Sequence, residues 1–579
     1  MAGPSTSRAL TEVEQVTALN EVLDDETLSN YSSDDESASD YDYTQLVPPE
    51  TISASERDSD PEDIVAHDEL EEVPRRFVWE DIDSFHASRE SFCGVCGPQF
   101  DTAELDVVSV FESIFDISLV QLIVDETNRY AQQEISKIAR PLTFRSRIRK
   151  WEDVTVDEMY VVLALIMLTG IDQRPTLRSY YSKNRLLFTP FFAETLPLER
   201  LEVIMRFLHF SDNSKQNEYQ GPSKLFKIYP VIQHLSRKFQ ILYLPGHNIA
   251  IDESLTLWKG RLSFKQYLPL KAAKFGIKTF ELCESSSGYV WSFLVYTGQG
   301  MELTNQYVTA ETNKTTAIVI TLLENLLGRG HTVWMDNFYN SPDLARFLKS
   351  KNTDCVGTLR PNRKNVPPLV KDKKLKKGEH CAQHSGDVAV LAWQDKKRVT
   401  MISTYHKNDM RVVVNRASKA EIKPVVVCDY NKNMLGVDLK DQMLQPYLLE
   451  RKKGTKWYLK LFKRLLNVAI HNSMVIYRSH PNKQNLDTLQ FRLSLVQGLV
   501  EKHGSGVRRP VHGRPAVHPP PKRLTERHFL ERIPPTGKKA RPHRRFVVCG
   551  KKGQYWCGEC EEALCYEECF KAYHTLLNI

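Results

Sequence analysis

Between about Asp101 and Leu244, apolar residues recur every three or four positions. DVVSVFESIF and LVQLIVDETNRYAQQ show it most clearly, and the spacing predicts helices with one buried face. Thr155 and Glu158 fit a capping box ahead of an apolar helix, Met159 to Leu168. Pro197 fits the first helical position of LERLEVIMRFLHF, and KLFKIYPVIQHLSRKFQILY predicts a helix interrupted or kinked near Pro230. From about His247 the period shortens. NIAIDESL, LSFKQYLP, GIKTFELCES and YVWSFLVYTG predict strands, and TTAIVITLLENLL a helix. Thr332 to Met335 then predicts a short strand, PDLARFLKSK a helix and CVGTLR a strand. This succession is that of a mixed α/β sheet covered by helices. A lysine-rich stretch from about Pro361 to Val425 follows, with the strand patterns VAVLAWQD and RVTMISTYH. NMLGVDLKDQML then reads as a loop entering a helix. RKKGTKWYLKLFKRLLNVAIHNSMVIYRS starts basic and continues as an amphipathic helix expected to pack on the earlier helical region.

The candidate chemistry is carboxylate. Asp336 closes the Thr332 to Met335 strand and is followed by turn and helix-start residues, Asn337 to Pro342. Reacting groups in α/β sheets sit at such strand ends. Asp252 lies in NIAIDESL, and Asp438 and Asp441 are three apart in GVDLKD, a spacing that puts both on one helix face. The element order is also that of an RNase H-like core, which has one acid on its first strand, one after its fourth and a third on a late helix. Several acids converging on one sheet repel each other unless a cation neutralises them. Mg²⁺ (or Mn²⁺) suits oxygen ligands with substrate phosphate, and two such ions about 4 Å apart can clamp an in-line displacement at phosphorus. On this reading Asp252, Asp336 and Asp438 are metal ligands and Asp441 is an auxiliary acid. The alternative is that each is a turn or cap aspartate.

Composition adds a partner. The 579 residues allow two to four domains, and 41% hydrophobic against 26% charged residues suits a chain that mostly folds. The net charge of +6 hides an asymmetry: the part up to Val73 is near −19, leaving the rest near +25, and a basic body implies a polyanion. Residues 1–100 read as an acidic disordered region. Ser32 and Ser33 there resemble acidic-context phosphorylation sites, and Cys93 and Cys96 form an isolated CxxC. Lys259, Arg261, Lys265, Lys271, Lys274 and Lys278 lie near Asp252 in sequence, and Arg360, Arg363 and Lys364 follow the core. Such cations attract phosphates, and Trp457 among them suits stacking on a base. A solvated basic face and a core tryptophan are the opposing readings. A proline- and arginine-rich linker ending KKARPHRR has nuclear-localisation character. The longest apolar run, Met159 to Leu168, is too short to span a bilayer, and no signal peptide is expected. Near the C-terminus, Cys557, Cys560, Cys565, Cys569 and His574 have zinc-ligand spacing.

Taken together, IDESLTLWKGRLSFKQYLPLKAAKFGIK, ELCESSSGY, MDNFYNS, YNKNMLGVDLKDQM and CFKAYHT resemble the piggyBac family of cut-and-paste DNA transposases and the domesticated proteins derived from them. The resemblance runs from about residue 100 to the end. It implies a helical dimerisation and DNA-binding domain in two parts (101–246 and 449–503), a split RNase H-like catalytic core (247–360 and 425–448), an insertion domain (361–424) and a cysteine-rich zinc domain (543–579). Composition sets the acidic N-terminal region at 1–100 and the basic linker at 504–542. The implied catalytic acids are Asp252, Asp336 and Asp438, with Asp441 as a further acid; Arg360, Arg363, Lys364 and Trp457 match the DNA-facing positions. The implied activity is metal-dependent excision at terminal inverted repeats through hairpin intermediates, then integration at TTAA, by a nuclear homodimer. The alternative is a domesticated nuclear DNA-binding protein without strand transfer. The family usually opens its zinc domain with CxxC, where this chain has Phe546 and only Cys549. The expected ligands are therefore Cys549, Cys557, Cys560, Cys565, Cys569, His574 and His543. With two zinc sites, one is incomplete, another group substitutes, or His543 fills a place not assigned.

Overall fold

The structure, a computed structural model, describes residues 76–138, 148, 151–269, 274–414, 420–450, 454–506, 527–537 and 539–576. Ser32, Ser33, Lys271 and most of the basic linker lie outside the described residues. The first helices are α1 (Val107–Ile114), α2 (Ile117–Ser136), α3 (Val156–Ile171), α4 (Leu198–Phe207) and α5 (Tyr229–Leu242). Polar side chains start three of them by accepting an N–H of the first turn: Asp106 from Ser109, Asp116 from Leu119 and Thr155 from Glu158. Pro230 does not kink a helix. It sits in the first turn of α5, where its missing N–H has no partner to lose.

A ten-stranded sheet forms the centre. Its main strands are β1 (Glu80–Asp81), β2 (Asn248–Leu257), β3 (Phe275–Glu284), β4 (Val290–Val295) and β5 (Thr332–Met335). They are followed by β6 (Asp354–Thr358), β7 (His380–Ser385), β8 (Val388–Gln394) and β9 (Arg398–Ser403). The order is β1–β7–β8–β9–β6–β5–β2–β3, and β3 also pairs with β4 and with the short strand Gln266–Tyr267. β5 runs parallel to both β2 and β6; the other pairs are antiparallel. Helices α6 (Lys314–Leu323), α7 (Pro342–Ser350), α8 (Val425–Asn433) and α9 (Gly436–Leu444) complete this region. Buried runs such as TVWM in β5 explain strands covered on both faces. α10 (Trp457–Arg478) and α11 (Thr488–His503) return to the first helices. Phe462 meets Phe115 edge-on at 6.2 Å, and His503 lies 2.9 Å from Glu112 and 2.6 Å from Asp157.

The strands within 361–424 join the central sheet: β7–β9 extend it through Met401–Thr358, Ile402–Gly357 and Ser403–Val356 pairing. Their apolar side chains share a core with Ala250, Trp334 and Val426. The acidic region expected to be disordered ends sooner. From residue 76 the chain straps the amino ends of three parallel strands. Arg89 donates to Thr332 Oγ1 (2.9 Å) and Asn248 Oδ1 (2.5 Å), and the Glu90 N–H donates to Asp354 (2.7 Å). Phe85 is fully buried, and the Arg346 guanidinium lies 3.5 Å above the Phe77 ring. These aromatic residues supply the apolar surface that the acidic part before them lacks.

Candidate active site and metal centre

Register brings the first two acids together. Parallel pairing of β2 with β5 sets Ile251 opposite Met335, so Asp252 and Asp336 follow at the same level on neighbouring strands. β2 continues beyond Asp252 to Leu257, whereas β5 stops at Met335. The Asp336 turn is tightly determined. Its Oδ1 accepts the Phe338 N–H (2.9 Å), and Asn340 Nδ2 lies 2.9, 3.1 and 3.0 Å from the carbonyls of Met335, Asp336 and Thr358. The neighbouring β6 contributes Gly357, where a Cβ would fall 1.8 Å from the Met335 carbonyl. Only glycine permits that approach.

Asp438 arrives on the first turn of α9, which packs over β2 and where the helix dipole favours an acid. A turn at Gly288 admits this helix: its φ is +70°, and a Cβ there would lie 3.0 Å from the Lys440 nitrogen. Asp252, Asp336 and Asp438 all bear electrostatically on one half-buried residue, Tyr430 of α8. Burial pushes its pKa up to about 12, and the three carboxylates add to the rise. Burial also raises the Asp336 carboxyl, reinforced by Glu253, whose Oε2 accepts the Tyr339 hydroxyl at 3.4 Å. Among the described residues, the groups of three or more ligand atoms within 4.8 Å of one another are made of cysteine and histidine.

Asp441 takes a different place from Asp438. It pairs with Lys440 Nζ (2.6 Å) and with Arg464, and accepts from Ser254 Oγ (3.1 Å). Lys440, fully buried, also pairs with Glu281 at 2.5 Å. This knot joins β2, β3, α9 and α10. Burial alone would raise the Asp441 carboxyl, but Lys440 and Arg464 outweigh it and hold it below the ordinary range. Sequence reasoning missed Lys440, Arg464, Glu281 and Tyr430, because their burial depends on contacts far along the chain.

The basic residues divide. Lys259, Arg261, Lys274 and Lys364 are exposed. Lys278 Nζ sits between the rings of Phe280 (4.8 Å) and Phe338 (4.9 Å) and, with Arg360, draws the Asp336 carboxyl downward against burial. Arg360 Nε donates to Asn337 (3.4 Å) and Arg363 Nη2 to the Phe338 carbonyl (2.6 Å), so both hold the Asp336 turn. Trp457 is half-buried and meets Phe264 edge-on at 5.3 Å.

The C-terminal cysteines gather in two clusters: His528, Cys557, Cys560 and His574, and Cys549, Cys565 and Cys569. The final helix, α12 (Glu568–Thr575), carries Cys569 and His574. Ligands of the two clusters alternate along the chain, which interlocks them. His528 Nδ1 lies 3.5 Å from Cys557 Sγ and 3.4 Å from Cys560 Sγ; His574 Nε2 lies 3.6 Å from Cys560 Sγ. With His574 Nδ1 donating to the Phe570 carbonyl (2.8 Å), Nε2 is left with its lone pair toward the cluster. Such a second hydrogen bond accompanies metal-binding histidine, and two thiols with two imidazoles suit tetrahedral Zn²⁺. His543 belongs to neither cluster; its Nε2 faces Gln554 at 3.1 Å. His528 replaces it, separated from the cysteines by sequence that shows no ligand spacing.

Comparison with known proteins follows this geometry. A family model described as Transposase IS4 matches residues 106–474. The chain is 26% identical over 404 residues to PiggyBac transposable element-derived protein 2 of Homo sapiens, covering 67% of this chain and 64% of that protein. It is 25% identical over 488 residues to PiggyBac transposable element-derived protein 3 of Homo sapiens, covering 82% and 77%. The first match thus spans just under two thirds of the relative's length. Among solved structures, a cryo-EM piggyBac transposase synaptic complex with hairpin DNA matches with a TM-score of 0.63 at 21% identity, covering 82% of this chain and 100% of that one. Among the described residues, no single helix is long and apolar enough to cross a membrane.

Proposed function

This chain belongs to the piggyBac transposase family, and on that premise we propose that it is a cut-and-paste DNA transposase with an RNase H-like core. The observation that carries the reading is the register of Asp252 beside Asp336, with Asp438 on the first turn of α9, which packs over β2. The strand order β4–β3–β2–β5–β6, with one parallel neighbour on each side of β5, supports the core assignment. Asp252, Asp336 and Asp438 would hold Mg²⁺ or Mn²⁺, which supplies charge neutralisation at phosphorus and activation of the attacking oxygen. The chain's own residues do the rest. Asn340, Arg360 and Arg363 fix the Asp336 turn, and the Lys440–Asp441–Arg464 knot positions α9, so Asp441 acts through Asp438 rather than beside it.

In the proposed reaction, water attacks phosphorus at each terminal inverted repeat and releases a 3′-hydroxyl. That hydroxyl attacks the opposite strand, displacing a 3′-oxygen and closing a hairpin. Reopened 3′ ends then join a TTAA target in the nucleus. The two helical segments, 101–246 and 449–503, pair two chains and two ends, and the module from 543 onward, extended by His528, holds zinc and reads the repeat. Lys259, Arg261, Lys271, Lys274, Lys364 and Trp457 are assigned to DNA.

The test uses the inverted repeats flanking the coding sequence. Incubation with Mg²⁺ is expected to give nicks and hairpins that chelation abolishes. Tight repeat binding with no metal-dependent cleavage would instead establish the domesticated DNA-binding reading, which the departure at Phe546 favours. A finer test addresses Arg363. Arg363→Ala is expected to lower cleavage by about 10- to 100-fold through misplacement of the Asp336 turn. If Arg363 also contacts phosphate, the log–log salt slope of binding falls by about one; an unchanged slope with reduced cleavage assigns it to the turn alone.

A further inference from the structure

Among the described residues, the second cysteine cluster has three ligands. Cys549, Cys565 and Cys569 bring their sulfur atoms within 4.8 Å of one another, while the first cluster already uses His528, Cys557, Cys560 and His574. The turn that would present a fourth ligand is formed. Gly550, at φ +71°, donates its N–H to the Phe546 carbonyl (3.0 Å), and the Phe546 N–H donates to the Lys551 carbonyl (2.7 Å). The resembled family carries a cysteine at this position, but here the residue carries a phenyl ring. The ring is buried against Gly553, where a Cβ would meet it at 2.0 Å. The Cys569 N–H donates to Cys565 Sγ (3.2 Å), as backbone amides do for metal-bound thiolates, and Cys549 is exposed.

We propose that Cys549, Cys565 and Cys569 form a three-thiolate zinc site whose fourth position takes an exchangeable ligand from outside, so that the module holds one tight zinc ion and one labile one. Structural zinc sites are closed by four protein ligands, and sites with three keep an open position for water or another small ligand. Three thiolates leave the bound ion with a net negative charge, so a neutral imidazole or water suits that position better than an anion. Because the two ligand sets alternate along the chain, the tight ion at the first cluster keeps the three thiols gathered while the second ion exchanges. The inference rests on the zinc reading of this module.

The full-length chain, loaded with zinc, decides it. Native mass spectrometry is expected to count two ions. Release to a colorimetric chelator is expected in two phases of equal amplitude, the fast one at least about tenfold faster than the slow one. Phe546→Cys should close the site and convert the fast phase into a slow one. Should that variant fold poorly, Co²⁺ replaces zinc in the unaltered chain: added imidazole should change the d–d absorption of the labile ion and leave the other unchanged. Two ions released in a single slow phase would overturn the proposal, since another group would then close the site. One ion at saturating zinc would overturn it as well. A chain holding no zinc would sink the zinc reading of the whole module.

Discussion

Asp336→Asn is expected to abolish metal-dependent DNA cleavage while making the metal-free protein more stable to heat. Both effects come from one atom. Burial raises the Asp336 carboxyl, with Glu253 adding to the effect. A carboxyl whose folded-state pKa is raised favours the neutral form, so its destabilisation of the fold sets in above the ordinary carboxyl pKa and is complete above the raised one. Asparagine removes the charge, and its Oδ1 can still accept the Phe338 N–H that fixes the turn at 2.9 Å. Losing one carboxylate from the metal set forfeits on the order of 4 kcal/mol of transition-state stabilisation, a rate loss of about 10³-fold. Repeat-end cleavage and calorimetry of the same sample check the pair. Retained cleavage would remove Asp336 from the metal site, and a lower melting temperature would contradict the electrostatic account. The same sign implies that the Mg²⁺ needed for half-maximal cleavage falls as pH rises through the Asp336 pKa.

Lys440→Met is expected to lower unfolding stability by about 3–5 kcal/mol, the range for breaking a buried ion pair from one side. Lys440 is fully buried between Glu281 and Asp441. Methionine fills much of its volume but leaves Glu281, buried beside the Thr279 hydroxyl at 2.8 Å, with an uncompensated charge. Asp441 keeps Arg464. Adding Glu281→Gln should therefore recover part of the loss, and the double-mutant cycle isolates the pair. Urea titration supplies the free energies. A single-variant effect under about 1 kcal/mol would show that the knot does not hold α9 in place. The pH window follows from the shifts. Burial lowers the Lys440 pKa, but Asp441 and Glu281 outweigh it and raise it. Its share is therefore complete below about pH 10 and lost above. The lowered Asp441 pKa makes its share present above about pH 4 and lost only in acid.

What was legible in the sequence was what lies close along the chain. Asp252, Asp336 and Asp438 could be picked out because each ends or begins a short patterned element, and the succession of those elements was readable. Partners far away were not. VAVLAWQ announces a strand, yet nothing in its alternation says that its neighbour β9 pairs with β6 and so enlarges the central sheet. Average composition assigned residues 76–100 to the acidic tail, while five aromatic residues there, Phe77, Trp79, Phe85, Phe92 and Phe100, behave as core anchors or ring partners. Lys440, between two aspartates, shows nothing of its burial in the sequence, because helical spacing gives a face, not a depth. His528 carried no spacing signal at all, since its partners lie beyond the linker's end in the CxxC knuckle and in α12.

Chain order also sets when the proposed nuclease can exist during translation. Asp252 and Asp336 leave the ribosome on strands β2 and β5, but Asp438 follows only after β7–β9 have been made, and Arg464, which steadies its helix through Asp441, comes later still. A nascent or prematurely terminated polypeptide ending before α9 carries two of the three acids and no complete site. Truncated products ending there would lack the proposed site, and the proposed reactivity would arise only once the bundle that would hold the DNA ends has been synthesised.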